Sequence, residues 1–152
     1  MLSQKAKYGI QALVYLARRG EGKAALIREI AESERLPKKF LEAILLELKS
    51  AGILHARPGK GGGYMLNRAP RTVTLGRVIR LIDGPLAPIP CVSQTAYVPC
   101  RDCLDEQTCG IRAVMKRVRD ATAKILDETS LEDLIEEERT LSAGRAAVDF
   151  NI

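Results

Sequence analysis

Residues 26–66 read LIREIAESERLPKKFLEAILLELKSAGILHARPGKGGGYML, and the fold turns on this stretch. Leu26, Ile27, Ile30 and Ala31 mark a short helix by their helical spacing. A turn around Ser33–Leu36 follows, and Pro37 suits the first position of the next helix, where its missing N–H costs nothing. Phe40, Leu41, Ile44, Leu45 and Leu48 form the buried face of that helix, and Gly52 stands where a left-handed C-terminal cap requires it. Two such helices joined by a tight turn are a helix-turn-helix. The apolar runs Ile53–Arg57 and Tyr64–Leu66 then flank Pro58-Gly59-Lys60-Gly61-Gly62-Gly63, which predicts a β-hairpin, a wing directly after the helix-turn-helix. Arg57 and Lys60 sit on a backbone almost free of Cβ atoms, suited to close approach to a phosphate backbone or entry into a minor groove. A flexible surface turn is the alternative. The order of the glycines and the lack of a helix opening after them argue against a nucleotide-binding P-loop.

Outward from this core, Ala6, Ile10, Leu13, Val14 and Ala17 stripe a preceding helix that Gly20-Glu21-Gly22 ends. On the other side Thr74 caps a fourth helix bearing Leu75, Val78, Ile79 and Ile82, closed by Gly84. Residues 84–110 change character: prolines crowd Pro85–Pro90, and all four cysteines fall between Cys91 and Cys109. Loops of this length are functional or disordered. From about Gly110, Ile111, Val114, Met115, Val118, Thr122, Ile125 and Leu126 follow 3-4 spacing. This helix has no neighbour of similar length in the chain, so it reads as a dimerisation helix packed on its twin, with packing on its own domain alone as the alternative. Ser130 with Asp133 resembles a capping box opening a last short helix, and the tail after Ser142 is expected to be loosely ordered. The fold class is therefore mainly α with a small β-hairpin wing, a winged helix-turn-helix plus a long dimerisation helix. The expected organisation is a DNA-binding domain at 1–83, a cysteine-bearing loop at 84–110, the dimerisation helix and a short helix at 111–140, and a tail at 141–152.

The chain has 152 residues, 24 Lys and Arg against 19 Asp and Glu, and a net charge of +5. Residues 1–80 carry 16 basic and 6 acidic residues, a net +10, whereas residues 81–152 carry 8 and 13, a net −5. That split points to a polyanion-binding front half and a back half with another task, against the alternative of an uneven solvated surface. No apolar run approaches the roughly 18–20 residues that span a bilayer. The start Met1-Leu2-Ser3-Gln4-Lys5 lacks an apolar signal core, so the expectation is a cytoplasmic protein without membrane contact. Cytosolic thiols stay reduced, so the four cysteines argue for metal or redox chemistry before structural disulfides. Catalysis is not supported: there is one histidine, His55, no nucleophile motif and no nucleotide fingerprint. An iron–sulfur electron carrier would need neither a wing nor a +10 half.

Several segments together resemble a known family. They are Ala6-Lys7-Tyr8-Gly9 through Leu16-Ala17, Ile30-Ala31-Glu32, the run from Leu41-Glu42 to Leu48 with Ala51-Gly52-Ile53-Leu54, Gly61-Gly62-Gly63-Tyr64 with Leu66, and Ile82-Asp83-Gly84-Pro85. Over residues 3–135 this ordered set resembles the winged helix-turn-helix transcription regulators that include IscR, NsrR, RirA and CymR. The resemblance implies a homodimer on double-stranded operator DNA, acting as a repressor, with a loop that in many members holds an iron–sulfur cluster. Lys38 and Lys39 stand at the end of the recognition helix that enters the major groove. Glu42, one turn on, would accept from a cytosine amino group or repel unwanted contacts. Arg57 and Lys60 would contact phosphate or minor groove, with Gly61, Gly62 and Tyr64 completing the wing's DNA-facing set. Pro58 occupies the place where many relatives carry a wing arginine; here Arg57 lies one place earlier.

The cysteine spacing is Cys91-x8-Cys100-x2-Cys103-x5-Cys109. Cys103 and Cys109 match the second gap of cluster-binding relatives, and Cys91 matches their first cysteine by its place after Asp83-Gly84-Pro85. The first gap is longer, and Cys100 is extra. The relatives' fourth ligand is a histidine soon after the last cysteine or a carboxylate from the other subunit's first helix. Here Arg112 and Tyr8 stand in those places, and His55 lies in the wing. Four thiolates from Cys91, Cys100, Cys103 and Cys109 would complete a 2Fe-2S or 4Fe-4S cluster, with Cys100 as fourth ligand. Arg101 and Arg112 would favour the thiolate forms. The resulting expectation is a regulator sensing iron, redox or nitric oxide status. A four-cysteine zinc site, a thiol–disulfide switch and inert cysteines remain the alternatives.

Overall fold

In a computed structural model that describes residues 2–149, α1 (Gln4–Arg19), α2 (Ile27–Glu34) and α3 (Lys38–Ser50) are followed by the hairpin β1 (Leu54–Arg57) and β2 (Gly63–Leu66). Then come α4 (Leu75–Asp83), α5 (Gly110–Glu128) and α6 (Leu131–Asp149), with single 3-10 turns at Pro70–Thr72 and Pro90–Val92. The expected winged helix-turn-helix is present in the expected order. The Ser3 hydroxyl accepts the Ala6 N–H at 3.0 Å, capping α1. The Ser3 N–H in turn donates to Asp83 at 2.9 Å, which fixes the start of α1 to the end of α4.

The turn between α2 and α3 is tight because Arg35 takes the left-handed conformation at φ 55°. The Leu36 N–H then reaches back to the Ala31 carbonyl at 2.9 Å. Pro37 serves as the cap rather than the first helical residue, one place earlier than the sequence predicts. Leu41, Ile44, Leu45 and Leu48 of α3 are fully buried. Phe40 departs from the expected buried face. It is 41% exposed and meets Tyr8 edge-on at 5.8 Å, because at about 100° per residue it lies a quarter-turn off the centre of the buried row.

β1 and β2 pair antiparallel from Leu54 opposite Leu66 to Arg57 opposite Gly63. A third, one-residue rung comes from Ala25, whose N–H and carbonyl both bond Tyr64 at 2.8 Å. This rung explains Gly63: its φ is +132°, and a Cβ there would stand 2.2 Å from the Ala25 carbonyl oxygen.

The C-terminal region differs from the expected partition. Ser130 and Asp133 do form the capping box, with the Asp133 N–H on the Ser130 hydroxyl at 3.1 Å and the Ser130 N–H on the Asp133 carboxylate at 2.8 Å. The helix they open is no short one. It runs to Asp149, so the loose tail expected after Ser142 is helical as far as that residue, and residues 150–152 lie outside the described residues. Its base also belongs to the winged unit. The Leu131 N–H bonds the Val73 carbonyl and the Leu75 N–H bonds the Thr129 carbonyl, both at 2.9 Å, while the Leu131 side chain is fully buried in the core shared with α1 and α3.

Leu131→Ala should therefore lower unfolding free energy by about 3 kcal/mol in urea titration, as a core residue and not a linker residue would. Gly63→Ala should cost about 2 kcal/mol, and Gly61→Ala, which meets no atom within 4 Å, about half as much.

Candidate nucleic-acid interface and cysteine loop

The inward row of α3 is buried, so its outward row is fixed in orientation. Lys39, Glu42, Ala43 and Leu46 lie on that row and are all exposed. Lys38 is exposed beside them, as are Arg57, Lys60 and Gly61 at the wing. Among the described residues, Lys38, Lys39, Glu42, Arg57 and Lys60 form no ion pair, whereas Glu47 on the flank of α3 is bound by Lys5 at 2.5 Å. Two further residues of the expected DNA-facing set are less exposed. Gly62 is buried inside the turn, where a Cβ would collide with the Arg57 carbonyl oxygen at 2.2 Å. Tyr64 is half-buried, its side chain packed on the core and its backbone committed to Ala25. Both shape the wing.

The cysteine loop is rooted on α5. Cys91 is buried in the 3-10 turn, Cys103 and Cys109 are half-buried, and Cys100 is exposed. Cys109 caps α5: its sulfur accepts the Arg112 N–H at 3.4 Å. That bond, with help from the adjoining Cys103 thiol, holds the Cys109 thiol below the ordinary cysteine value. Cys103 is pushed the other way, by burial first and then by its hydrogen bond with Cys109. The donor set suits a thiophilic metal or cluster in kind and number, four thiols within one loop. Among the described residues no three Cys, His, Asp or Glu side chains converge on one point. The loop therefore brings Cys103 and Cys109 together and leaves Cys91 at the root; binding all four to one centre requires the loop to close.

Glu106, Arg112 and Arg119 organise this region. Glu106 accepts the Tyr97 hydroxyl at 2.8 Å and lies 3.6 Å from the Arg112 guanidinium. Its bond holds the Tyr97 hydroxyl above the ordinary tyrosine value. Arg112 also donates to the Cys91 carbonyl at 3.3 Å, and Arg119 donates to the Val92 carbonyl. Two arginines on one face of α5, two turns apart, thus tie down the root of the loop. Arg80 of α4 completes the joint with a two-point pair to Asp127 of α5, at 2.5 and 2.8 Å, which holds the Asp127 carboxyl below the usual carboxylate range. Nothing in the sequence marks these pairings, because they link residues up to 47 apart.

No residue of the 19-residue α5 is buried. The single apolar stripe expected on it divides in two: Met115 and Leu126 are half-buried against their own chain, whereas Ile111, Val114, Val118 and Ile125 are between 42% and 71% exposed. Among the described residues no helix is long and apolar enough to cross a membrane.

Comparison with known proteins agrees with this arrangement. Residues 2–137 match the Rrf2 family model, described as an iron-dependent transcriptional regulator. An rrf2-like HTH-type transcriptional regulator of Rhodobacter capsulatus is 46% identical over 138 residues, 89% of this chain and 92% of that one. CymR of Bacillus subtilis is 33% identical over 134 residues, 88% of each chain. Its solved structure, described as that of the global cysteine regulator, has a TM-score of 0.75 at 29% identity, over 90% of this chain and 97% of that one. The solved structure of T. potens IscR has a TM-score of 0.71 at 25% identity, over 91% and 88%.

Proposed function

The chain belongs to the Rrf2 family of transcriptional regulators, and from that premise we propose a homodimer that reads operator DNA with α3 and the wing, its affinity set by an iron–sulfur cluster held in the loop 91–109. Membership in a family of regulators makes it a DNA-binding protein and not an enzyme. The observation that carries the finer reading is the row of exposed, unpaired charges on α3 and the wing, in the half of the chain with net charge +10. Phosphates meet such cations by releasing counterions, and the fixed outward row of α3 is left for base edges.

The second copy belongs on α5. A helix with no buried residue and an exposed apolar row is unstable as a free surface, and a groove of about 500 Å³ bounded by Ile79, Pro85, Leu86, Val118 and Leu126 lies alongside it. Packing two α5 helices about a two-fold axis would cover both and set the separation of the two α3 helices.

Cys91, Cys100, Cys103 and Cys109 would hold the cluster, which when bound supplies one-electron redox chemistry and a target for oxidants or nitric oxide. The chain's own residues then carry the consequence. Arg112 and Arg119 bind the carbonyls of Cys91 and Val92 to α5, and Arg80 with Asp127 binds α5 to α4. A loop that closes or opens pulls on the helix that spaces the two DNA-reading halves. A second reading, a thiol switch without metal, is favoured by the contact between Cys103 and Cys109 and by the description of CymR as a cysteine regulator. A zinc site on the same four thiols is the remaining metal alternative.

Anaerobic purification separates these readings. A coloured protein with bound iron and matching sulfide is expected, and Cys91→Ala, Cys103→Ala or Cys109→Ala should abolish retention. Colourless protein with one zinc per chain, or with no metal at all, would contradict the cluster; full occupancy in Cys100→Ala would place the fourth ligand elsewhere. On the DNA side, Lys39→Ala should change discrimination among operators. Lys60→Ala should weaken binding evenly and lower the salt slope by about one unit. Unchanged specificity and slope in both variants would show that this is not the DNA face.

A further inference from the structure

We propose that Leu46 is a specificity residue that reads a thymine methyl group in the major groove, an inference that rests on the DNA-binding reading above. Leu46 is 57% exposed, the most exposed large apolar side chain of α3. Its exposure is imposed by geometry: Ile44, Leu45 and Leu46 follow one another and sweep about 200° of the helix, so a row that buries the first two turns the third outward. Ile44 and Leu45 are fully buried. Leu46 thus falls on the outward row with Lys39, Glu42 and Ala43, and the small side chain of Ala43 leaves room for the helix to approach closely.

The chemistry of the occupant follows from what surrounds the leucine. Lys38 and Lys39 lie toward one end of α3, Lys49 toward the other, and Arg57 and Lys60 on the wing; all are exposed and none forms an ion pair among the described residues. Such a surface is matched by a polyanion. With Lys38 and Lys49 at the two ends of α3 to meet phosphates, the outward row from Lys39 to Leu46 stands over base edges. Those edges carry ring-nitrogen and carbonyl acceptors, amino donors and, as their one apolar group, the thymine C5-methyl. Leucine set against any of the others would leave a desolvated polar group without a partner. Thymine at that step is therefore the base that Leu46 favours.

The test uses the full-length protein and a pool of random-sequence duplex DNA. Bound sequences are selected with wild type and with Leu46→Ala at one salt concentration, after urea titration has shown the variant to be folded. Wild type should enrich a thymine at a fixed place in each half-site, and Leu46→Ala should lose that preference. Replacing this thymine by deoxyuridine, which removes only the methyl group, should weaken wild type about fourfold per half-site, the weight of one buried methyl, and leave the variant unchanged. Identical preferences in the two proteins with no effect of deoxyuridine would overturn the inference while leaving the DNA reading intact. Unaltered selection with a changed oligomeric mass in the variant would assign Leu46 to a protein contact and overturn it likewise. Failure of wild type to enrich any sequence would overturn the DNA reading and this inference with it.

Discussion

The arrangement depends on burying one face of α3 beneath α1. Leu41, Ile44, Leu45 and Leu48 have no exposed surface, and each such side chain contributes about 1.5–3 kcal/mol when taken out of water. Gly9 of α1 leaves room for both neighbours: a Cβ there would stand 2.7 Å from Ile82 of α4 and 3.3 Å from Ile44 of α3. The buried row fixes the rotation of α3 about its axis, and with it which residues of the outward row face solvent.

The opposed charges of the two halves match a division of labour. The basic half ends in α4, whose first residue is bonded to the base of α6 through the Thr129 carbonyl and whose Arg80 grips Asp127 of α5. The acidic half hangs its cysteine loop between α4 and α5, with backbone carbonyls at the root held by arginines of α5. An exposed ion pair such as Arg80 with Asp127 contributes below about 1 kcal/mol to stability after solvent screening. Its weight is geometric: it joins α4 to α5 at two points.

Much of this was legible from sequence where periodicity and turn chemistry are strong. The buried row of α3, the Thr74 cap of α4, the glycine closures at Gly20, Gly52 and Gly84 and the start of α5 at Gly110 all follow from local rules. The rung at Ala25 was not legible, because a single residue between two helices carries no alternation. The full length of α6 escaped notice for a related reason. Beyond Leu134 and Ile135 it has no apolar stripe, and it holds its helix with strong formers such as Leu, Glu, Arg and Ala. In the candidate site, the exposure of Lys38, Lys39, Arg57 and Lys60 follows from the helix and hairpin patterns. The enclosure of Gly62 in the turn and the packing of Tyr64 on the core depend on contacts that a motif position does not reveal. Glu106, Arg112 and Arg119 act through contacts between distant residues that no spacing reveals.

The central claim is that the state of residues 91–109 sets the affinity of α3 and the wing for DNA. Its most direct test is the affinity of the dimer for one selected duplex, at fixed ionic strength, before and after the iron is removed from the loop. The account predicts a change of about tenfold or more. Equal affinities across the selected duplexes would contradict it and leave a regulator whose loop does not govern its grip on DNA.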